Sequence, residues 1–486
     1  MDGTRTKVLD NLFAWAVTPV DDETRSNGSN CNLFWLHGSP GLGKTSVANS
    51  LCYQLRVSGN LGGSFFCKHD NPDLREPNRV LPTLIAKLVL MWGPFRQLVA
   101  KVLLNDPQLN PRSTHGELLL KPLQLLKRHP PRPLVLVIDA LDECGRPNAR
   151  GTLLKCLMDA CSLAHWLKVI VTSRPEYDIK TFFDRHRINS LDLATDDLDG
   201  KGIHLFTKHR MESVAIRRHL PPDWPGARRL SQIVERSHGL FIFVDTLSRV
   251  VDVPTPEPLL VEVLDGKLEG ANAELHRLYS AALNLHAVGR TEDLKSILRA
   301  VVAVSSCRPL CANTLGKWIG LETSTILSWV DELSSLLYQG GSQGDGIRVR
   351  HLSVLEFLVG STCPSEFRVN LKLANSELAR RCLETMAEKL KFNICKLETS
   401  YLFNTDIQNL EVRVEQKVPD ALQYSCMHWS THLCYDVDPV DVDLTGLLDG
   451  FFKGPRPLYW LEVLSLMGKV PVAISALRLI KSCSRV

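Results

Sequence analysis

Residues 38–45 read Gly38-Ser39-Pro40-Gly41-Leu42-Gly43-Lys44-Thr45. They fit the phosphate-loop pattern G-x-x-x-x-G-K-[ST] at every fixed position. The glycines let consecutive backbone N–H groups turn toward one anion. In such a loop the lysine reaches the β- and γ-phosphates, and the threonine hydroxyl takes part in binding Mg²⁺. A helix beginning with Ser46 would aim its positive end at the same phosphates, so the stretch predicts a nucleotide site.

The sequence on each side of this loop has the pattern that a phosphate loop requires. Residues 32–37 form a short apolar run that is rich in aromatic side chains, which is typical of a central strand. Beyond the loop, apolar residues recur at helical spacing: Val47, Ala48, Leu51 and Leu55. A loop that leaves a buried strand and opens a helix is the expected context for phosphate binding.

Further strands and helices alternate through the next part of the chain. Residues 63–67, 133–139 and 167–173 are predicted strands, and the last two are continuous apolar runs typical of strands buried on both faces. Helices are predicted over 80–104, 114–127 and 153–163. The alternation predicts a doubly wound parallel sheet, in which ligands bind at the carboxyl ends of the strands.

Three carboxylates follow the strand at 133–139. Asp139 ends the strand, where a carboxylate can hold Mg²⁺ directly or through water. Asp142 and Glu143 follow closely, and such a carboxylate can orient or deprotonate an attacking water. Glu143 is the first choice for this role and Asp142 the second. A solvated acidic turn without function is the alternative.

Arg174 ends the next predicted strand, at 167–173. A guanidinium at that edge of the sheet can contact the γ-phosphate or stabilise charge that develops during its transfer. The alternative is a surface arginine paired with Glu176.

Composition narrows the class of protein. The chain has 486 residues, 44% of them hydrophobic and 23% charged, with a formal net charge of +4. This charge is too small for the chain's size to indicate nucleic acid or an anionic membrane. The N-terminus has no apolar segment of a secretory signal, and no run approaches the about 18 apolar residues that span a bilayer. The expected location is the cytoplasm, with the nucleus as the alternative.

The pattern of the whole chain predicts five regions. Three helices and a hairpin in the fourth region, at about 293–305, 312–319, 324–337 and 339–351, suggest a winged helix. The regions are an N-terminal helix and loop at 1–30, a nucleotide-binding domain at 31–190, a helical domain at 191–290, a winged-helix-like domain at 291–365 and a C-terminal helical domain at 366–486.

The stretches 34–45, 137–143 and 171–175 together resemble the NACHT subset of STAND P-loop NTPases. They resemble more closely the fungal proteins that have a nephrocystin-3-like N-terminal domain. The small residue Ala140 between Asp139 and the acidic pair is the form this subset takes. The similarity extends to Ser-His-Gly-Leu-Phe-Ile-Phe at 237–243 and Arg-His-Leu-Ser-Val-Leu-Glu-Phe-Leu at 350–358.

The resemblance implies a nucleotide switch that is closed with ADP and open with ATP, and that self-associates when open. It also implies that a winged-helix histidine, here His351, contacts the β-phosphate in the closed state. Members of the group usually carry an effector domain in front and a sensor of repeats behind, so this chain is expected to be a fragment or to rely on partner proteins. Family habit suggests NLR-like signalling or self-recognition in a fungus.

Other functions remain open from the residues alone. A P-loop kinase is one, although the Asp142–Glu143 pair favours water as the phosphoryl acceptor. A scaffold that binds nucleotide without turnover is another. DNA binding through a recognition helix at 323–337 is disfavoured, because that segment carries Asp331 and Glu332 and neither Lys nor Arg. The phosphate loop does not select between ATP and GTP, since it does not touch the base.

Overall fold

The structure is a computed structural model that describes residues 4–19, 32–105, 115–126, 128–196, 200–265, 268–287, 290–340, 346–434 and 442–483. The chain divides into two compact units, Met1–Leu278 and Tyr279–Val486. Residues 20–30 of the predicted N-terminal helix and loop, and residues 341–345 of the predicted hairpin, lie outside the described residues.

A five-stranded sheet forms the centre of the first unit. Its strands in chain order are β1 (Leu33–His37), β2 (Leu61–Phe66), β3 (Leu134–Asp139), β4 (Leu167–Ser173) and β5 (Asn189–Asp192). In space the order is β2-β3-β4-β1-β5, and every neighbouring pair is parallel. The parallel α/β sheet predicted from the alternation of strands and helices is confirmed. Because β4 lies between β1 and β3, whatever follows β4 stands between the ends of those two strands.

The two apolar runs at the middle of the sheet are buried along their whole length. Every residue of β3 and of β4 is buried, as expected for strands covered on both faces. Leu136 and Ile138 pack into a core that includes Leu84 and Leu157 from the covering helices. Successive strand side chains point to opposite faces, so Val135 and Val137 face the other side of the sheet.

The helices of the first unit connect these strands. They are α1 (Thr6–Val17), α2 (Lys44–Val57), α3 (Pro77–Met91), α4 (Gly93–Asn105), α5 (His115–Gln124), α6 (Pro147–Leu163), α7 (Tyr177–Arg185), α8 (Leu193–Asp196), α9 (Lys201–Arg217), α10 (Ala227–Ser237), α11 (Phe241–Val250) and α12 (Pro256–Leu264). The boundary between the units falls within α13 (Ala271–Ala287).

The helical region predicted at 80–104 is helical and consists of two helices, α3 and α4, with a break between them. Trp92 between them is extended, with φ −135° and ψ 108°. Pro94 has no N–H to donate to the carbonyl four residues earlier, so a continuous helix would lose that hydrogen bond and meet the proline ring. The break also lets the Trp92 ring pack edge-on against Trp166, with ring centroids 4.9 Å apart.

The second unit is helical apart from one hairpin. Its elements are α14 (Thr291–Val304), α15 (Ala312–Ile319), α16 (Thr323–Glu332), β6 (Leu337–Gln339), β7 (Ile347–Val349), α17 (Leu352–Val359), α18 (Leu371–Lys389), α19 (Leu410–Lys417), α20 (Asp420–Leu433), α21 (Val442–Phe452), α22 (Arg456–Leu466) and α23 (Pro471–Cys483). β6 and β7 pair antiparallel. The helix predicted at 324–337 ends earlier, at Glu332. Within the described ranges, no helix has the length and apolar character needed to cross a membrane.

Candidate functional site

The predicted phosphate loop joins the end of β1 to the start of α2. Gly41 and Gly43 have φ angles of 82° and 89°, in the left-handed region that L side chains rarely adopt. Gly43 is the N-cap of α2, so the N–H groups of the first turn begin directly behind the loop. Lys44 Nζ donates to the carbonyl oxygens of Gly38 and Ser39 over 2.7 and 2.9 Å. The loop therefore has the concave backbone that the sequence predicts.

The remaining loop residues have distinct surroundings. Leu42 is buried and anchors the loop in the core, while Thr45 and Ser46 are exposed in the first turn of α2. A Cβ at Gly38 would lie 2.8 Å from Leu42 Cδ1, so a larger residue there would require the Leu42 side chain to shift. Ser39 is exposed and Pro40 is half-buried, between the end of β1 and the left-handed Gly41.

A distant segment closes against the back of this loop. The Ile242 N–H donates to the Gly41 carbonyl over 3.3 Å, and a Cβ at Gly41 would lie 2.1 Å from Ile242 Cγ2. Ile242 belongs to the first turn of α11, whose N–H groups have no partner inside the helix. The Phe241 ring lies beside Gly43, and the Arg5 guanidinium lies 5.5 Å from the centre of that ring. Gly41 is thus required for its backbone angle and for this close approach.

Thr45 and Asp139, the predicted magnesium ligands, are brought together at the edge of the sheet. Burial raises the pKa of Asp139, and hydrogen bonds from the Thr172 and Thr45 hydroxyls oppose that rise. Thr172 Oγ1 donates to Asp139 Oδ1 over 2.5 Å and accepts from the Ala140 N–H over 3.1 Å. Sequence reasoning missed Thr172. Its position near the end of β4, beside β3, was the available signal.

Ala140 turns the chain sharply after β3. Its φ of 55° is left-handed, which places the Leu141 side chain in the core and starts a short 3-10 turn over Leu141–Glu143. A non-glycine residue in this region is strained, and the strain grows with the bulk at Cβ. A small residue between Asp139 and the acidic pair therefore has a conformational reason.

Asp142 is paired with Arg174. The Arg174 backbone N–H donates to Asp142 Oδ1 over 3.0 Å, and Arg174 Nε lies 3.4 Å from Oδ2. Burial raises the pKa of Asp142, and the hydrogen bond and charge of Arg174 oppose the rise. Arg150 stabilises the same turn, because its Nη1 donates to the Asp142 carbonyl. Its Nε and Nη2 donate to the Asp178 carboxylate. Sequence reasoning named neither this pairing nor Arg150.

Glu143 is held by His69, a residue in the loop after β2. The His69 backbone N–H lies 3.0 Å from Glu143 Oε2, and its ring Nδ1 lies 3.2 Å from the same oxygen. Burial tends to raise the pKa of Glu143, but the hydrogen bonds and charge of His69 outweigh it, so that the pKa is lowered. The three predicted carboxylates therefore differ in the direction of their pKa shifts, and Glu143 is the most easily ionised. Sequence reasoning missed His69.

Lys44 lies among these groups. Burial lowers its pKa to about 8, and Arg174 adds to the decrease, while Asp142, Asp139 and Glu143 oppose it. Lys44, Asp139, Asp142, Glu143 and Arg174 thus form one electrostatic cluster at the carboxyl edge of the sheet. Among the residues that the structure describes, no group of three or more His, Cys, Asp or Glu side chains could itself hold a metal ion.

His351, predicted from the family resemblance, lies in the second unit as the N-cap of α17. Its Nδ1 accepts from the Ser353 N–H over 3.2 Å and lies 2.7 Å from Ser353 Oγ. Ser353 Oγ is also 2.7 Å from the Tyr279 hydroxyl. Because Nδ1 acts as an acceptor, a neutral ring carries its proton on Nε2.

The chain is similar to known proteins over its N-terminal third and, in one relative, over nearly its whole length. Residues 16–174 match the family model for the N-terminal domain of nephrocystin 3. The vegetative incompatibility protein HET-E-1 of Podospora anserina is 24% identical over 509 aligned residues, which cover 98% of this chain and 36% of that protein. This chain therefore spans about a third of the length of that relative.

Two solved structures align over much of the chain. The Walker-type ATPase PABY2304 of Pyrococcus abyssi is 13% identical with a TM-score of 0.34, covering 73% of this chain and 95% of its own. Cdc6p from Pyrobaculum aerophilum is 12% identical with a TM-score of 0.31, covering 73% and 93%. At these scores the alignments add nothing to the strand order and loop geometry. The resemblance to NACHT-type STAND P-loop NTPases is confirmed by the family match over residues 16–174 and by the curated relative.

Proposed function

We propose that the first unit binds ATP or ADP together with Mg²⁺, with GTP as the alternative nucleotide, and hydrolyses the triphosphate slowly. The observation that carries the proposal is the cluster at the carboxyl edge of the sheet. There Lys44 and Thr45, the last two residues of the loop at 38–45, lie beside Asp139, with Glu143 and Arg174 nearby. This is the combination of backbone donors, one cation and carboxylates that phosphoryl transfer to water requires.

The residues present fit a magnesium ion bound with its nucleotide. Mg²⁺ prefers oxygen ligands and usually keeps several waters, with one or two protein groups and the phosphates completing its shell. The Thr45 hydroxyl and the Asp139 carboxylate, which hydrogen bond to each other, would hold it here. Bound Mg²⁺ supplies charge neutralisation for the phosphate oxygens. A site of this kind needs no cluster of three protein ligands.

The different surroundings of the carboxylates favour distinct roles. Asp142 is occupied by Arg174, whereas Glu143 is held through Oε2 and is ionised. We assign to Glu143 the orientation of the attacking water, and to Arg174 the stabilisation of charge on the transferred phosphoryl group. A carboxylate with a lowered pKa is a weak base, so turnover is expected to be slow.

The switch function rests on the second unit. In this proposal residues 291–365 form a winged-helix-like domain whose His351 donates from Nε2 to the β-phosphate of ADP, and ATP releases it to allow self-association. The five regions given above are its domains. The named activity of the Podospora relative, vegetative incompatibility, makes NLR-like signalling or self-recognition in the cytoplasm or nucleus the proposed context. Other protein partners would supply the signal, without nucleic acid.

The first experiment purifies the full chain and identifies any nucleotide that heat releases from it. Binding of fluorescent ATP and ADP is then compared between the wild type, Lys44→Ala and the control Lys155→Ala, which removes an exposed lysine from α6. Lys44→Ala should lose at least 100-fold in affinity, roughly 3 kcal/mol, because the phosphates lose their half-buried cationic partner. Wild-type affinity in that variant would refute the proposal.

Hydrolysis and assembly are tested separately from binding. Glu143→Gln should retain ATP and lose turnover, while binding without any turnover in the wild type would identify a non-hydrolysing scaffold. Size-exclusion chromatography of Glu143→Gln with ATP·Mg²⁺ and with ADP should show larger particles with ATP only. If His351→Ala has the same ADP affinity as the wild type, the proposed contact with the β-phosphate is wrong.

A further inference from the structure

We propose that His69 is a positioning residue for Glu143, which fixes one carboxylate oxygen so that the other faces the attacking water. The inference rests on the hydrolysis proposed above. His69 donates twice to the same atom, from its backbone N–H at 3.0 Å and from ring Nδ1 at 3.2 Å to Oε2. Across the described part of the chain, no protein donor to Oε1 is found, so Oε1 is the oxygen left for water.

The path of the chain puts these two residues side by side. β2 and β3 are parallel, with Phe66 opposite Asp139, and the Cys67 N–H continues the ladder by donating to the Asp139 carbonyl over 2.9 Å. His69 and Glu143 then follow at almost the same distance beyond the two strand ends. The contact is therefore an extension of the sheet, built on rigid elements.

The loop that carries His69 is fixed by its own hydrogen bonds. Asn71 Oδ1 accepts from the N–H groups of Asp73 and Leu74, and the Lys68 N–H donates to the Leu74 carbonyl over 3.3 Å. A side chain on such a turn holds its direction without help from the ligand. His69 can thus set the carboxylate direction before any nucleotide binds.

The ring nitrogen has a role that the backbone N–H cannot take over. A single donor lets a carboxylate rotate about the hydrogen bond, whereas two donors that converge on Oε2 from different directions restrict that rotation. The His69 and Glu143 side chains are only 24% and 20% exposed, so solvent competes weakly for the contact. Within the described ranges, no hydrogen bond or ion pair joins His69 to residues 38–45. Loss of the ring should therefore affect turnover more than nucleotide affinity.

The test compares steady-state ATP hydrolysis and fluorescent-ATP affinity in the full chain. His69→Ala should lower kcat by about 10- to 100-fold, as expected when a reacting group is misplaced, with the nucleotide Kd changed less than 2-fold. His69→Asn should recover most of kcat, because its amide nitrogen can donate from nearly the position of Nδ1. His209→Ala, which removes an exposed histidine from α9, is the control and should match the wild type.

A double variant separates positioning from folding. In a Glu143→Gln background, adding His69→Ala should leave both the residual turnover and the nucleotide Kd unchanged, because the carboxylate that it positions is gone. If kcat is unchanged in His69→Ala while the wild type hydrolyses ATP, the inference is overturned and the proposed function stands. If the wild type binds ATP and never hydrolyses it, the inference falls and nucleotide binding stands. If the wild type does not bind ATP, both the inference and the proposed function are wrong.

Discussion

Arg174 and Asp142 are joined at two points, through the Arg174 backbone N–H to Oδ1 over 3.0 Å and through Nε, 3.4 Å from Oδ2. Their side chains are 15% and 7% exposed, so the pair is largely shielded from water. A phosphate that attracted Arg174 would compete with Asp142 for the same guanidinium. The pair therefore couples the end of β4 to the acidic turn after β3.

Arg174→Ala should destabilise the protein without nucleotide by about 3 kcal/mol, because it leaves the buried Asp142 carboxylate without its cation. Adding Asp142→Asn should restore much of the loss, since the amide oxygen still accepts the backbone N–H. Urea unfolding of the full chain measures both, with Arg185→Ala on the exposed face of α7 as the control. Equal stability of Arg174→Ala and the wild type would show that the pair contributes nothing to folding.

Nucleotide binding should take up a proton at alkaline pH. Partial burial lowers the pKa of Lys44 to about 8, and phosphate oxygens beside it would raise that pKa. Above pH 8 the free protein lacks the proton that the complex holds, so affinity should fall as pH rises. Calorimetry at pH 9 in buffers of different ionisation enthalpy measures the uptake, and titrations at pH 7 serve as the control. Absence of proton uptake at pH 9 would contradict this account.

Ala140→Val should destabilise the chain by about 1–2 kcal/mol, because a branched side chain is strained at a φ of 55°. The same change should lower turnover, since it displaces the turn that carries Asp142 and Glu143. Ala140→Gly is the matched control and should lose no stability, as glycine adopts this angle without strain. Thermal unfolding measures the change in stability, and the ATPase rate measures the change in turnover. A fully stable Ala140→Val would mean that the turn relaxes easily.

Lys168 should make stability depend on pH. This buried lysine of β4 donates to the carbonyls of Trp15 and Thr18 at the end of α1, and burial lowers its pKa to about 8. The unfolded chain keeps that proton up to a pKa of about 10.4. Between pH 8 and 10 the unfolded state therefore binds more protons, and this residue makes stability rise with pH.

Urea unfolding at pH 7.5 and 9.5 measures the Lys168 effect. The increase in stability between the two pH values should be smaller in Lys168→Met than in the wild type, whereas Lys155→Met should behave like the wild type. Lys44 contributes a rise of the same sign in every variant, so the difference between variants isolates Lys168. An identical increase in Lys168→Met would rule out a perturbed Lys168.

Local patterns were sufficient to predict the apolar strands and the loop. β3 and β4 are continuous apolar runs, and the loop at 38–45 is specified by its glycines, so each could be recognised within a few residues. β5 was missed because it is a short strand at the edge of the sheet, Asn-Ser-Leu-Asp at 189–192, in which three of four residues are polar and none is buried. Its pairing with β1 comes from the tertiary structure, which no local period reveals.

The contact partners of the site residues could not be predicted either, because they also depend on the tertiary structure. His69 contacts Glu143, Thr172 contacts Asp139 and Arg150 pairs with Asp178, each at least 28 positions away in sequence. Each of the three is an ordinary polar residue in its own segment. The order of the strands in the sheet decides which of these residues come into contact. The sequence predicts a parallel sheet but not the order of its strands. The pairing of Arg174 with Asp142 depends in particular on β4 lying between β1 and β3.

The hydrogen bond from Ile242 to Gly41 has a consequence for biosynthesis. Gly41 leaves the ribosome long before Ile242, by on the order of ten seconds or more at about 5–20 residues per second. During that interval β1, the loop and α2 are present without the helix that closes against their back. The loop at 38–45 therefore gains its hydrogen bond from Ile242 only after α11 has been synthesised.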